Sequence, residues 1–359
     1  MQIKIKLLRF LRLYIYFFTI VLFIIFFSTA ILKANSFKVS NLEISEPFEL
    51  NFDKNKVIDR GFKLAFINLI SMITTSGDKK KIQNTSLKVI KGMVDSFTIS
   101  KEKFIDETYY ANIDVVFNKK NTLFFLEKKN IFPSIPLKKK LLFIPIIIDE
   151  NKNDLLIYSG NKIYDEWNNH KQKFHLIEYI LPTEDLEDYN LIKNKFDLIE
   201  QYDFKEITDK YYLRDSIIVL IFKNEKELRI LSRITVNENV VLKNLSYKII
   251  NFNDNKQIEN IINYLKIIYE DYWKNFNQIN TSIKLPLKVK ISNSDNSKIL
   301  EFEDTLNKID SINDFYILKF DKDFTFYQII FNGTSDVFLK NMYEKNYKFN
   351  TQNKIWILK

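Results

Sequence analysis

The sequence predicts a mixed α+β and α/β protein: an N-terminal signal or anchor helix, small α/β sandwich domains, and a C-terminal ferredoxin-like βαββαβ domain. Three observations predict it. Leu13 to Leu32 (LYIYFFTIVLFIIFFSTAIL) runs for 20 residues without a charge. Two continuous apolar runs, LLFIPIIID from Leu141 and DSIIVLIFK from Asp215, alternate with helical patterns, as strands buried on both faces do. From Leu285 onward the pattern reads strand, helix, strand, strand, helix, strand.

The apolar run is long enough, at 1.5 Å per residue, to span about 30 Å of hydrocarbon. Lys4, Lys6, Arg9 and Arg12 precede it, and basic flanks stay cytoplasmic, so everything after Lys33 is expected to be exported. Residues 1–34 are read as a signal peptide or a transmembrane anchor. Ser28-Thr29-Ala30 and Leu32-Lys33-Ala34 are the candidate cleavage sites for the first alternative. Both alternatives place the body in the periplasm, or on the inner membrane facing the periplasm. The absence of Cys fits a bacterial periplasm better than a eukaryotic lumen, where exported domains usually carry disulfides.

Three segments are expected to follow. Residues 35–137 form an α+β domain. It opens with a strand from Phe37 to Phe48 and continues with a helix whose Ile58, Phe62, Ala65, Phe66, Leu69, Ile70 and Ile73 recur at helical period. Asp53 to Asn55 supply its cap. Ser76-Gly77-Asp78 ends it, a second helical stretch runs to Lys91, Met93 to Ile99 and YYANIDVVF from Tyr109 are strands, and Asn121 to Lys129 is a short helix. Pro133, Pro136 and Lys138 to Lys140 mark a linker. Residues 138–250 form an α/β domain around the two buried strands, with Glu227 to Thr235 as a further strand; Pro145 within the first run argues against a fully paired strand. Residues 255–359 hold a long amphipathic helix, Asn255 to Asn277, with Ile258, Ile261, Ile262, Leu265, Ile268, Tyr269, Tyr272 and Phe276 on one face, and then the βαββαβ domain.

Composition removes most chemistry. Without Cys there are no thiolate metal sites and no cysteine nucleophiles. With Gly only at 61, 77, 92, 160 and 333, neither a phosphate-cradling loop nor a nucleophile elbow can be written. His170 and His175 are five residues apart in one polar stretch, a poor start for a triad. The net charge of +9 would suggest nucleic acid, but +5 of it lies in residues 1–34. The remaining Lys is interleaved with acids and Arg is sparse, so no nucleic-acid partner is expected.

The densest acidic cluster is Glu184-Asp185-Leu186-Glu187-Asp188, directly after an apolar strand and Pro182. Thr183 or Asp185 can cap a helix there, with acids in its first turn complementing the dipole. The alternative is a hard-cation site in which Asp149, after the first buried strand, joins Asp185 and Asp188. Trp167, Trp273 and Trp356 are expected as core or boundary anchors. No catalytic residue, cofactor or resident metal is assigned.

The segment over residues 35–245 resembles a bacterial envelope family described as domain of unknown function 2066. The points of resemblance are Arg60-Gly61 on the first helix, the Tyr-containing strand Tyr109 to Phe117, the LLFIPIIID strand, Trp167, and the spacing Pro182, Asp185, Asp188. The layout is also similar to that of flagellar assembly protein T and the N-terminal domain of the Tol translocation protein B. The resemblance implies a periplasmic protein that binds other proteins, with no catalytic residue to transfer. The expectation is thus a non-enzymatic accessory protein of a Gram-negative envelope, reaching the membrane through its N-terminal helix if that helix is retained; the alternative is a metal-dependent envelope hydrolase using Asp149, Asp185 and Asp188.

Overall fold

The computed structural model describes residues 37–50, 52–172 and 174–359, and the expected signal or anchor helix lies outside them. The described chain is a mixed α+β structure with three sheets. Among the described residues no helix is long and apolar enough to cross a membrane.

In the first module β1 (Lys38–Pro47), β2 (Val94–Ile105) and β3 (Thr108–Phe117) form an antiparallel sheet in the order β1-β3-β2. Helix α1 (Lys54–Ile73) starts where the Asp53 carboxylate accepts the Asn55 N–H at 2.9 Å. Its stripe of Phe62, Ala65, Phe66, Leu69, Ile70 and Ile73 is buried against Ile44, Ile113 and Val115 of the sheet. At Gly61 the helix lies close on the sheet: a Cβ there would stand 2.8 Å from Cδ1 of Ile44 and 3.0 Å from Cδ1 of Ile113. Short helices α2 (Ser76–Ile82) and α3 (Leu87–Lys91) follow α1, and α4 (Lys119–Lys128) follows the sheet.

The central sheet is built on β4 (Lys139–Asp149) and β7 (Ser216–Lys223), the two apolar runs, paired in parallel over Leu142 to Asp149. Antiparallel β8 (Glu227–Val236) and β9 (Asn239–Lys248) extend one edge. On the other edge β4 meets β6 (Ile177–Ile180) at its start and β5 (Asp154–Leu156) at its end.

Pro145 is accommodated by this division. The N–H groups of Leu142 and Glu150 donate to β7-side carbonyls at 3.0 Å, so even-numbered residues face β7 and Pro145 faces away. Its missing N–H falls in the gap between β6, paired to Lys139–Leu142, and β5, paired to Ile147–Asp149. The Pro145 carbonyl in that gap accepts from the buried side-chain amide of Asn161 at 2.9 Å.

Both faces of this sheet are covered. Helix α5 (Lys162–Glu166), Trp167 and the long helix α8 (Asn255–Phe276) cover one face, while α6 (Leu186–Asn194) and α7 (Lys205–Lys210) cover the other. The long helix stands next to the C-terminal unit in sequence, yet it buries Ile258, Ile261, Ile262, Leu265, Tyr269 and Trp273 against the central sheet.

The C-terminal sheet has the order β11-β12-β10-β14-β13, from β10 (Lys284–Ser292), β11 (Ile312–Phe320), β12 (Phe324–Asn332), β13 (Phe349–Asn350) and β14 (Trp356–Leu358). Helices α9 (Asn296–Lys308) and α10 (Ser335–Tyr343) pack Phe302, Leu306, Phe338 and Met342 onto it. Strand β14 pairs with β10 in parallel, whereas the last strand of a plain βαββαβ unit opposes the first. The two-residue β13 has the opposing direction; the chain then turns back and places β14 between β13 and β10.

The connectors between modules pair with each other. The Pro133 carbonyl accepts from Ile279 at 2.8 Å, the Ile135 N–H donates to Asn277 at 3.0 Å, and Ser134 is bridged to Gln278.

Candidate functional site

The three aspartates of the cation alternative are each committed to a structural partner. Asp149 ends β4, pairs with Lys223 at 2.9 Å, and accepts the N–H groups of Asn151 and Lys152, fixing the turn into β5. The Lys223 hydrogen bond holds its carboxyl below the usual range. Asp185 caps α6, accepting from Glu187 N–H at 2.8 Å. Asp188, fully buried, accepts from the Lys210 ammonium at 2.6 Å. That ammonium also reaches Glu187 at 3.1 Å and Asp185 at 3.3 Å. It occupies the centre of the acidic cluster, and Asp188 and Glu187 raise its pKa. Among the described residues no group of three or more His, Asp or Glu side chains is placed to hold a metal ion. The arrangement therefore joins α6 to α7 through a lysine and leaves Asp149 with a partner of its own.

The tryptophans act as anchors. Trp167 is fully buried and stacks on Phe143 with ring centroids 3.7 Å apart. Trp273 donates its indole N–H to the Leu137 carbonyl at 2.6 Å, and Trp356 packs beside Phe338 and Phe349. The Lys138–Lys140 run is drawn partly into β4, where Lys139 pairs with Asp215 and Lys140 with Glu178.

A polar stripe on α8, unforeseen in the sequence, ties down the loop around both histidines. Lys266, Glu270 and Lys274 are buried at four-residue spacing on this helix. Lys266 donates to the carbonyls of Trp167 at 2.6 Å and His170 at 2.9 Å, and burial lowers its pKa to about 8. The Glu270 carboxylate accepts the N–H groups of Leu176 (3.0 Å) and Ile177 (2.9 Å), where β6 begins; burial raises its pKa against those hydrogen bonds. The signal was present as a charged residue one step after Leu265 and Tyr269 of the apolar stripe, and again one step after Trp273.

His175 lies against this stripe, and burial, followed by the charges of Lys266 and Lys274, pushes its imidazole down to about 4. The unfolded chain takes up this proton near pH 6.5 and the folded chain only near 4, so stability is lost as pH falls through that window. After discounting for partial exposure, the loss is expected to be about 1–2 kcal/mol. Urea unfolding of wild type and His175→Phe at pH 4.5 and 7 should differ in their pH dependence by that amount; parallel curves would refute it.

The exposed apolar side chains gather elsewhere. Along the free edge strand β11, Tyr316, Ile317, Leu318 and Phe320 are all exposed, Phe320 at 78%. Among the described residues only β12 pairs with β11 as a strand, which leaves β11 at the edge of the sheet. No family model matches the chain, and no curated protein matches it.

Proposed function

We propose that this chain is a non-enzymatic accessory protein of a Gram-negative envelope, facing the periplasm and working through protein–protein contacts. The observation that carries the reading is the β11 edge, with a run of exposed apolar side chains along a strand that, among the described residues, no other strand pairs on its outer side. Such an edge is a template for strand addition by a partner, and a protein that left it open would risk aggregation. The commitment of Asp149, Asp185 and Asp188 to lysines favours this reading over a metal-dependent hydrolase. In it the C-terminal unit is a ferredoxin-like module extended by β13, and the first two modules are relatives of the envelope family they resemble.

The test is photo-cross-linking in cells. A benzophenone amino acid replaces Phe320 in the full chain, with Lys226 in the β7–β8 turn as control position. Discrete adducts to envelope proteins at 320 and none at 226 are expected; equal, diffuse labelling at both would defeat the reading.

A further inference from the structure

The first module carries a groove of about 630 Å³ between α2, α3 and α4, lined by Val89, Met93, Phe124 and Phe125 on its apolar side. Phe124 projects from α4 with 53% of its surface exposed, an unusual place for a phenylalanine on a helix whose neighbours Leu123 and Leu126 are buried. The polar rim is of one sign. Lys81, Lys128 and Lys129 line the groove, and no carboxylate does. The chain from residue 79 to 93 holds five lysines, 79, 80, 81, 88 and 91, and no acid.

The carboxylates of helices α1, α2 and α4 are already committed, and Asp95 at the start of β2 is exposed outside the groove lining. Asp78 pairs with Lys81 at 2.6 Å, Asp59 with Lys91 at 2.6 Å, and Glu127 with Lys284 at 2.9 Å. Among the described residues Lys80, Lys88, Lys128 and Lys129 have no carboxylate partner, and Lys128 instead lies over the Phe124 ring at 4.2 Å. A half-exposed aromatic held under an unneutralised ammonium suits a ligand that brings both an apolar anchor and negative charge.

We propose that this groove is a docking site for an acidic peptide segment of a protein partner, with an apolar residue seated on Phe124 and Val89 and carboxylates facing Lys128 and Lys129. Charge complementarity selects this occupant: the rim repels basic segments, and a neutral one would leave the lysines uncompensated. The proposal deepens the protein-contact reading and rests on it, but it concerns a surface separate from β11.

The experiment uses the full-length protein and a fluorescein-labelled 12-residue peptide of glutamates with Leu or Phe at every third or fourth position. Saturable binding by fluorescence anisotropy is expected, weakened about tenfold or more by Phe124→Ser and by the pair Lys128→Glu and Lys129→Glu. Both changes are at exposed positions, and circular dichroism confirms folding. The pair Lys243→Glu and Lys248→Glu, exposed on β9, makes the same change in net charge and should leave binding unchanged. Unchanged affinity in the groove variants, or an equal loss from the β9 pair, overturns the proposal. So does tighter binding of phosphatidylglycerol vesicles or of a single-stranded oligonucleotide through the same residues. A failed groove with persisting cross-links at 320 would leave the protein-contact reading standing, whereas loss of both would remove it.

Discussion

Asn161→Ala is expected to lower the unfolding free energy by about 3–4 kcal/mol. The two hydrogens of the side-chain amide are shared among the carbonyls of Pro145, Leu156 and Ile157 at 2.9, 3.1 and 3.1 Å, and its oxygen accepts the N–H groups of Ile163 and Tyr164. It plugs the gap in the sheet edge and caps α5 at once. Truncation leaves buried carbonyls and two helix N–H groups without partners, and buried polar groups cost far more unpaired than they contribute paired. Asn161→Asp separates the two tasks. It keeps the cap acceptor but turns a carboxylate toward three carbonyl oxygens, so its loss should equal or exceed that of Ala at pH 7 and shrink as acid protonates the group. Urea denaturation at pH 5 and 7 measures this, and an Ala variant within 1 kcal/mol of wild type would show that the gap is filled by other means.

Glu270→Ala is expected to cost about 3 kcal/mol and to act locally. The carboxylate is the acceptor for the first amides of β6, so truncation strands the Leu176 and Ile177 N–H groups in the core. Hydrogen exchange at residues 176 and 177 should accelerate by at least an order of magnitude while exchange in β7 follows only the global loss. Uniform acceleration would assign Glu270 no local role. Lys266→Met gives the contrasting case. Its removal leaves the Trp167 and His170 carbonyls unpaired but relieves the burial of an ammonium, so the net change near neutral pH should be small. The folded pKa of about 8 lies below the ordinary value of 10.5, so the folded chain releases its proton first. Wild type should therefore gain stability relative to Lys266→Met as pH rises from about 8 towards 10.

Helices α1 and α8 and the central strands β4 and β7 were legible in the sequence because apolar period is a local property. The stripe of α1, the runs of β4 and β7, and the helices and main strands of the last segment all announce themselves within a dozen residues. Strand β9 did not: its Asn, Lys and Ser residues lie at an edge, and its pairing with β8 is decided by partners outside the strand. The reach of β2 to Ile105 was hidden for the same reason, since most of its residues face water and only the hairpin with β3 extends it. The packing of α8 on the central sheet was hidden differently. An amphipathic stripe states that one face is buried, not what buries it. A cap at Thr183 or Asp185 followed from their position before a helix, and the structure selects Asp185, but Lys210 within the acidic cluster required knowing that α7 returns beside α6. Asn161 was missed although Pro145 had posed the question, since the answer lay across a turn, sixteen residues downstream.

The hydrogen-bonded pairing of residues 133–135 with 277–279 has a mechanical consequence. Linkers that run separately act as two hinges, and the bodies they join swivel at will. Laced together, and with the stretch leading into β4 pinned by the Trp273 indole, they behave as one stiff clasp, so a torque applied at any one module is handed to the others instead of being absorbed between them.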